Sequence, residues 1–268
     1  MDNVRVFEDT LNSISSIPFL SESVERSRAL QMVYPEDRIV NVPDARRFGT
    51  SEVILVPHRT FEAAAGLKGR TAVLNFASFT NPGGGVAYGS SAQEESLCRI
   101  STLYECITDD RMMEGFYFPH SAVTSDLFNS DIIYTPGVTV FKSDTLTPEM
   151  LPREKWFEAD VVTCAAPDLS SMSVSDTRLR QAHVQRFSRI LSVCAENGDE
   201  NVVLGAFGCG VFNNDPWIVA DAAMDAVADF DGCFAKIVFA VYCPPGDSSN
   251  YLAFESVIKA RGSHPSSI

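Results

Sequence analysis

Twice in this chain a short apolar run ends in a glycine-bearing loop, and the loop ends at a helix start. In the first instance Thr71 to Ala77 reads as a strand that leads into Asn81-Pro82-Gly83-Gly84-Gly85. A helix follows from Ala92 to Cys106, with Leu97, Ile100, Leu103 and Tyr104 at helical spacing. In the second, Asn201 to Ala206 runs into Phe207-Gly208-Cys209-Gly210-Val211-Phe212-Asn213-Asn214. Asp215-Pro216-Trp217 then opens a helix, with Asp as N-cap and Pro as the first helical residue. A strand, glycine loop and helix in that order aim backbone N–H groups and the positive end of a helix dipole at one spot beyond the strand's C-terminal end. Strands alternating with helices in this way predict an α/β fold, a three-layer α/β/α sandwich on a mixed, mostly parallel sheet.

The remaining elements fit that class. Residues 4–34 carry helical spacing interrupted at Pro18 and form a helical arm. Ser51 to Pro57 predicts a strand, Arg59 to Leu67 a short helix stopped at Gly69, and Asp131 to Tyr134 and Val138 to Phe141 two further strands. Asp160 to Ala165 is a buried strand, Asp176 to Asn197 a long helix stopped at Gly198, and Lys236 to Tyr242 a last strand before a closing helix with Tyr251, Phe254 and Ile258. The expected organisation is an N-terminal helical extension over residues 1–50 packed on a single domain over residues 51–268.

Composition narrows the function classes. The formal charge of −14, with no basic block to offset it, disfavours sequence-independent binding to a nucleic acid backbone. The seven cysteines are an odd number, spread widely and without Cys-x-x-Cys spacing, so neither a disulfide framework nor a zinc knuckle is expected. There is no run of 18 apolar residues and no secretory leader at the start, which points to an intracellular, cytoplasmic protein, or a nuclear one in a eukaryote, with no membrane partner.

The chemistry concentrates after the triple glycine, where Gln93-Glu94-Glu95 falls in the first turn of the predicted helix. Three glycines let the backbone come close to a ligand, so that N–H groups can surround phosphate oxygens. A glycine run alone is ordinarily a turn, and a Glu pair at a helix start is ordinarily a favourable pairing with the dipole. Together they describe an anion cradle beside an acid. Successive helical positions are about 100° apart, so the two carboxylates are expected to diverge and take separate jobs. Cys209 as a nucleophile would need a base, and the histidines at 58, 120, 183 and 264 show no local pairing with it. No His-Glu-x-x-His or Gly-x-Ser-x-Gly motif occurs, so no metal or cofactor is expected.

Leu74-Asn75-Phe76-Ala77-Ser78, the glycine triplet followed by Gln93-Glu94-Glu95, and Gly205 to Phe212 resemble the macrodomain-type poly(ADP-ribose) glycohydrolases of the bacterial and fungal branch. Glu8-x-Thr10-Leu11, Leu97-Cys98-Arg99, Tyr134-x-Pro136-x-Val138 and Ala165-Ala166-Pro167 extend that resemblance over nearly the whole chain. It implies a macrodomain fold and hydrolysis of ribose–ribose O-glycosidic bonds in poly(ADP-ribose), with ADP-ribose as product. It makes Glu95 the catalytic acid and Glu94 the neighbour that helps hold the terminal ribose. Gly83, Gly84 and Gly85 match the first diphosphate loop, and Gly208, Cys209, Gly210, Val211 and Phe212 the second, with Phe212 ordering the reacting ribose. Asn81, Val86 and Gln93 complete the candidate binding set, and Phe254 is a candidate for stacking on adenine. Asp168 departs from the pattern, since relatives commonly carry Asn after Ala-Pro. The segment from Arg261 to Ile268 is a candidate cover for the adenosine ribose. A monomer acting on poly(ADP-ribose) or other ADP-ribosylated macromolecules is expected. The alternatives are a non-catalytic ADP-ribose reader, which would not need Glu95, and a glycohydrolase of mono-ADP-ribose on protein or nucleic acid. Because a helix N-terminus favours ionised glutamate, protonation of the acid is expected to be assisted by the charges of Glu94 and of the bound diphosphate.

Overall fold

The structure is a computed structural model that describes residues 2–43, 46–122 and 129–262; of the segment 261–268, residues 263–268 lie outside the described residues. In chain order the elements are α1 Asn3–Ser16, α2 Pro18–Leu30, β1 Met32–Tyr34, β2 Glu52–Val56, α3 Thr60–Ala64, β3 Thr71–Phe76, α4 Gln93–Ile100, α5 Leu103–Ile107, α6 Asp110–Met112, α7 Phe118–Ser121, β4 Ile132–Val140, β5 Phe157–Cys164, α8 Asp176–Glu196, β6 Asn201–Leu204, α9 Pro216–Asp229, β7 Lys236–Ala240 and α10 Ser249–Ala260. A π-helical turn, Met113–Tyr117, joins α6 to α7. Among the described residues no helix is long and apolar enough to cross a membrane.

The chain divides into two compact units. The first takes in Met1–Glu36, Asn75–Thr124 and Asp131–Ala165. Its strands β1, β4 and β5 pair antiparallel, Met32 lying opposite Tyr134 and Ile133 opposite Thr163. The second takes in Asp37–Leu74, Ser125–Ser130 and Ala166–Ile268. Its strands run parallel in the order β3-β6-β7-β2, with Val73 opposite Val203 and Val203 opposite Val238. Ala72, Val73, Leu74, Val202, Val203, Ile237 and Val238 are fully buried or nearly so, which explains why these strands read as continuous apolar runs rather than alternating ones. Both parallel and antiparallel pairings thus occur, each in its own unit.

Local rules account for most element boundaries. Asp2 caps α1 by accepting the Val4 N–H at 3.1 Å, and Pro18 at the first position of α2 separates the two helices of the arm. Asp215 likewise accepts the Trp217 N–H at 2.8 Å and opens α9. Two predicted elements differ. The helix expected over residues 92–106 is broken at Ser101-Thr102, because Thr102 donates to Thr139 O at 3.0 Å and its hydroxyl accepts the Thr139 N–H at 3.0 Å. Bonds to β4 there outcompete continuation of the helix. Conversely, the two strands expected around Pro136-Gly137 are one strand, β4, whose register shifts between Thr135 and Val138. Gly137 adopts φ +67° and donates to Asp160 at 2.7 Å, so the proline sits at a bulge where its missing N–H costs no ladder bond.

The arm is fastened to the strand that follows the site. Lys142, just beyond β4 and only 2% exposed, donates to Val6 O at 3.1 Å, to Asp9 at 2.7 Å and to the Thr10 hydroxyl at 2.8 Å. Burial lowers its pKa, and the bonds to Asp9 oppose that shift. The Thr10 hydroxyl also bonds the Arg99 carbonyl, so one buried polar knot joins α1, α4 and the end of β4. Lys142→Met should destabilise the protein by about 1–3 kcal/mol in urea unfolding, because Val6 O and Thr10 lose a buried donor. Asp9→Asn, on an exposed side chain, should cost less than about 1 kcal/mol.

Candidate active site

In the first unit, β3 ends at Phe76, and the loop that follows turns through three glycines to reach α4, whose first turn carries Glu94 and Glu95. Both carboxylates are nearly buried, at 3% and 8% exposure. Glu94 accepts from Asn75 Nδ2 at 3.3 Å and Gly83 N at 3.2 Å on one oxygen, and from Ser78 N at 2.7 Å on the other. Glu95 Oε1 accepts from Gly85 N at 2.9 Å, whereas Glu95 Oε2 is buried with no hydrogen-bond partner among the described residues. The expected divergence of the two side chains does not occur. A Cβ built on Gly84 would lie 2.5 Å from Glu95 Oε1 and 3.4 Å from Glu94 Oε2, so both carboxylates converge on that residue. Long side chains in the first turn reach alternate N–H groups of one loop, which overcomes the angular separation of their Cα atoms.

The glycines are therefore required by neighbours rather than only by turn geometry. Gly84 has φ +56° and no room for a side chain beside Glu95, and Gly83 faces the Tyr104 ring, which a Cβ would meet at 2.7 Å. In this structure the three N–H groups expected to surround phosphate are donated inside the protein: Gly83 to Glu94, Gly84 to Asn81 O at 2.9 Å and Gly85 to Glu95. A buried carboxylate requires donors, and these are the nearest. Val86 is buried beneath the loop and gives its N–H to Gly83 O, and Gln93 Oε1 accepts from Phe76 N at 2.8 Å, locking α4 to the end of β3. Asn75 and Ser78, absent from the sequence-predicted set, supply two of Glu94's donors. Their signal was the Leu74-Asn75-Phe76-Ala77-Ser78 stretch of the family resemblance, which assigned neither of them a role.

In the second unit the other loop is organised by a residue the sequence reading also left out. Asn214, 3% exposed, donates through Nδ2 to the carbonyls of Pro167, Gly208 and Phe212 at 2.8, 3.1 and 2.9 Å. Gly208, at φ +80°, would place a Cβ 2.6 Å from Ala166. Among the described residues the N–H groups of Gly210, Val211 and Phe212 have no acceptor, and a Cβ on Gly210 would meet nothing within 4 Å. Here, in contrast to the first loop, backbone donors are open to an anion. Phe212 is half-buried, and its carbonyl is also held by Leu169 N at 3.0 Å. Burial, with Asp215 adding to it, pushes the Cys209 thiol far above its ordinary range, which removes it as a nucleophile. Asp168 accepts the Ser170 N–H at 2.9 Å in a local turn. Phe254 corrects an expectation: it is fully buried, 5.5 Å ring to ring from Phe239, because its face of α10 packs on β7, so it presents no face to adenine. Among the described residues no cluster of three or more His, Cys, Asp or Glu side chains is placed to hold a metal ion.

Electrostatically the carboxylate pair is the unusual feature. Burial raises the Glu94 pKa from 4.5 to about 8; the bonds from Ser78, Asn75 and Gly83 oppose the rise and the charge of Glu95 adds to it. Between those values the folded protein holds a proton that the unfolded chain has released. The stabilising contribution is thus complete below pH 4.5 and is lost as pH rises through about 8. The unfolding free energy of the wild type should fall across that window relative to Glu94→Gln, measured by urea titration at stepped pH. Glu94→Gln should be less stable overall, since one amide oxygen cannot serve three donors, but it should lack that slope. Parallel pH profiles for the two proteins would show that Glu94 is not the titrating group.

Residues 12–143 match the family described as microbial-type PARG, catalytic domain. No curated protein matches the chain by sequence. Among solved structures it is similar to the poly(ADP-ribose) glycohydrolase of Thermomonospora curvata, with TM-score 0.84 and 25% identity over 95% of this chain and 98% of that one. The same enzyme bound to the inhibitor ADP-HPD gives TM-score 0.81 and 26% identity, with 95% and 98% covered. The poly(ADP-ribose) glycohydrolase of Deinococcus radiodurans, in complex with ADP-ribose, gives TM-score 0.77 and 30% identity over 89% of this chain and 98% of that one. The fold is accordingly the α/β macrodomain type. With a family match that contains the glycine triplet and both glutamates, and 30% identity to a solved enzyme covered almost end to end, the chain belongs to the microbial-type poly(ADP-ribose) glycohydrolases.

Proposed function

We propose that this protein hydrolyses ribose–ribose O-glycosidic bonds of poly(ADP-ribose) to release ADP-ribose, with Glu95 as the general acid and base. The observation that carries the assignment to Glu95 is its Oε2, a buried carboxylate oxygen with no hydrogen-bond partner among the described residues, beside a second carboxylate that already accepts three bonds. Breaking the bond requires a proton on the leaving oxygen and support for an oxocarbenium-like centre at the anomeric carbon. Glu95 gives the proton from Oε2 while Gly85 N–H holds Oε1 in place. The resulting carboxylate then takes a proton from the water that attacks the anomeric carbon, which restores the acid.

Glu94 acts from beside it. Its Oε2 accepts a single bond, from Ser78, and so keeps acceptor capacity for a ribose hydroxyl. The diphosphate of ADP-ribose is proposed to engage the open N–H groups of Gly210, Val211 and Phe212, with Phe212 against the sugar. In this reading residues 1–50 are an extension that braces α4 and residues 51–268 the catalytic domain, working as a monomer.

Glu95→Gln keeps the shape and removes the acid. Release of ADP-ribose from the polymer should fall by about 10²–10⁴-fold while ADP-ribose binding, followed by calorimetry, persists. Binding of ADP-ribose by both proteins with no release by either would make the protein a reader. Release from mono-ADP-ribosylated targets but not from the polymer would reassign the linkage.

A further inference from the structure

Below the second loop lies a buried histidine that the chemistry just described does not use. His183, on α8 and fully buried, has its Nε2 at 2.7 Å from Asn214 Oδ1. Its ring stands edge-on to Phe207 with centroids 5.9 Å apart, and Phe187 lies tilted on another side at 6.0 Å. The hydrogen-bond logic of this pair is closed. Three carbonyl oxygens face one end of the Asn214 amide, so that end must be the NH₂ and the other end the oxygen. An amide oxygen only accepts, so His183 must carry its proton on Nε2. The remaining nitrogen, Nδ1, is buried with no hydrogen-bond partner among the described residues. Burial lowers the His183 pKa to about 4, with the charge of Arg186 adding to the effect and the bond to Asn214 opposing it, so the ring stays neutral at working pH.

The Asn214 amide ties the two ends of the loop to a distant segment: it bonds Gly208 at the loop's start, Phe212 near its end and Pro167 just after β5. The backbone of the next turn depends on the same closure, since Asn213 N donates to Gly210 O and Asn214 N to Gly208 O, each at 3.0 Å, with Asn213 held at φ +56°. We propose that the His183–Asn214 pair is the positioning device of this loop: by fixing which end of the amide faces the carbonyls, it presents Phe212 and the open N–H groups of Gly210 to Phe212 in one arrangement. The pair therefore sets the affinity for the diphosphate of ADP-ribose and leaves the proton-transfer step at Glu95 alone. The part of this statement that concerns ligand rests on the function proposed above; the part that concerns the loop does not.

The test compares His183→Gln, whose Nε2 can reproduce the donor, with His183→Leu, which fills the space without one. Amide hydrogen exchange of Asn213 and Asn214 in the ligand-free protein reads the loop directly. Exchange should be faster in His183→Leu and near the wild-type rate in His183→Gln. Calorimetry should show ADP-ribose affinity weakened about tenfold in His183→Leu and restored in His183→Gln. With polymer as substrate, KM should rise with affinity loss while kcat stays within about twofold. Phe187→Leu serves as the control for packing, lowering Tm without changing exchange in the loop. Equal effects of the Gln and Leu substitutions, or unchanged exchange in His183→Leu, would overturn the proposal and leave His183 as core filling. So would failure of His183→Leu and Asn214→Asp alike to fold, because the pair would then support the whole unit rather than the loop. Should the wild type not bind ADP-ribose, the functional reading fails while the exchange comparison still decides the role of the pair.

Discussion

Two adjacent carboxylates buried at the start of one short helix are the constraint around which the first unit is arranged. A buried carboxylate without donors is costly enough to disrupt its surroundings, so the chain must bring N–H groups to it. It does so from both sides of the glycine loop: Asn75 and Ser78 from the end of β3, Gly83 and Gly85 from the loop itself. The demand explains the glycines better than turn geometry does. A side chain on Gly84 would occupy the place of Glu95 Oε1, and one on Gly83 would occupy the place of the Tyr104 ring. The further fastening of α4 through Gln93, Arg99 and Thr10 follows from the same need, because a helix that shifted by a fraction of an ångström would leave charge without a partner.

The two glycine loops look alike in sequence and do different work. The first commits its N–H groups to protein carboxylates and a carbonyl, whereas the second leaves a run of three without acceptors among the described residues. The difference lies in what supplies the restraint. In the first loop the restraining groups are acceptors, which consume backbone donors. In the second, Asn214 is a donor that consumes carbonyls and so leaves the N–H groups outward. Under the proposed function that division is useful: one loop holds an acid in place and the other offers donors to an anion on a protein whose net charge of −14 would otherwise repel it.

The N-terminal arm has a structural consequence of the same kind. Lys142 buries an ammonium group where a methionine would pack, and it does so at the junction of α1 with the helix that carries the glutamates. A polar knot at such a place specifies one arrangement of the elements, because sliding α1 by one residue would break several short bonds together.

Features that depend on neighbours in the chain were legible in the sequence. Capping by Asp2 and Asp215, the break at Pro18, the apolar strands of the parallel part of the sheet and both glycine loops follow from local rules, and the signature around Glu94-Glu95 identified the family. Features that depend on partners far along the chain were not. The split of the helix at Ser101-Thr102, the single bulged β4 in place of two strands, and the burial of Phe254 each arise from contacts across the fold that helical or strand periodicity does not encode. The convergence of Glu94 and Glu95 on Gly84 likewise came from long side chains reaching a loop, which the 100° spacing of helix positions could not describe. Asn75 and Asn214 make the same point most simply: asparagine beside a glycine loop reads as a turn residue, and only the positions of Glu94, His183 and the distant Pro167 carbonyl made one a donor to the buried acid and the other an anchor of the second loop. Residue types and local order therefore determined what chemistry this chain could carry, while tertiary packing decided which oxygen is left free to perform it, because that depends on where every competing donor comes to rest.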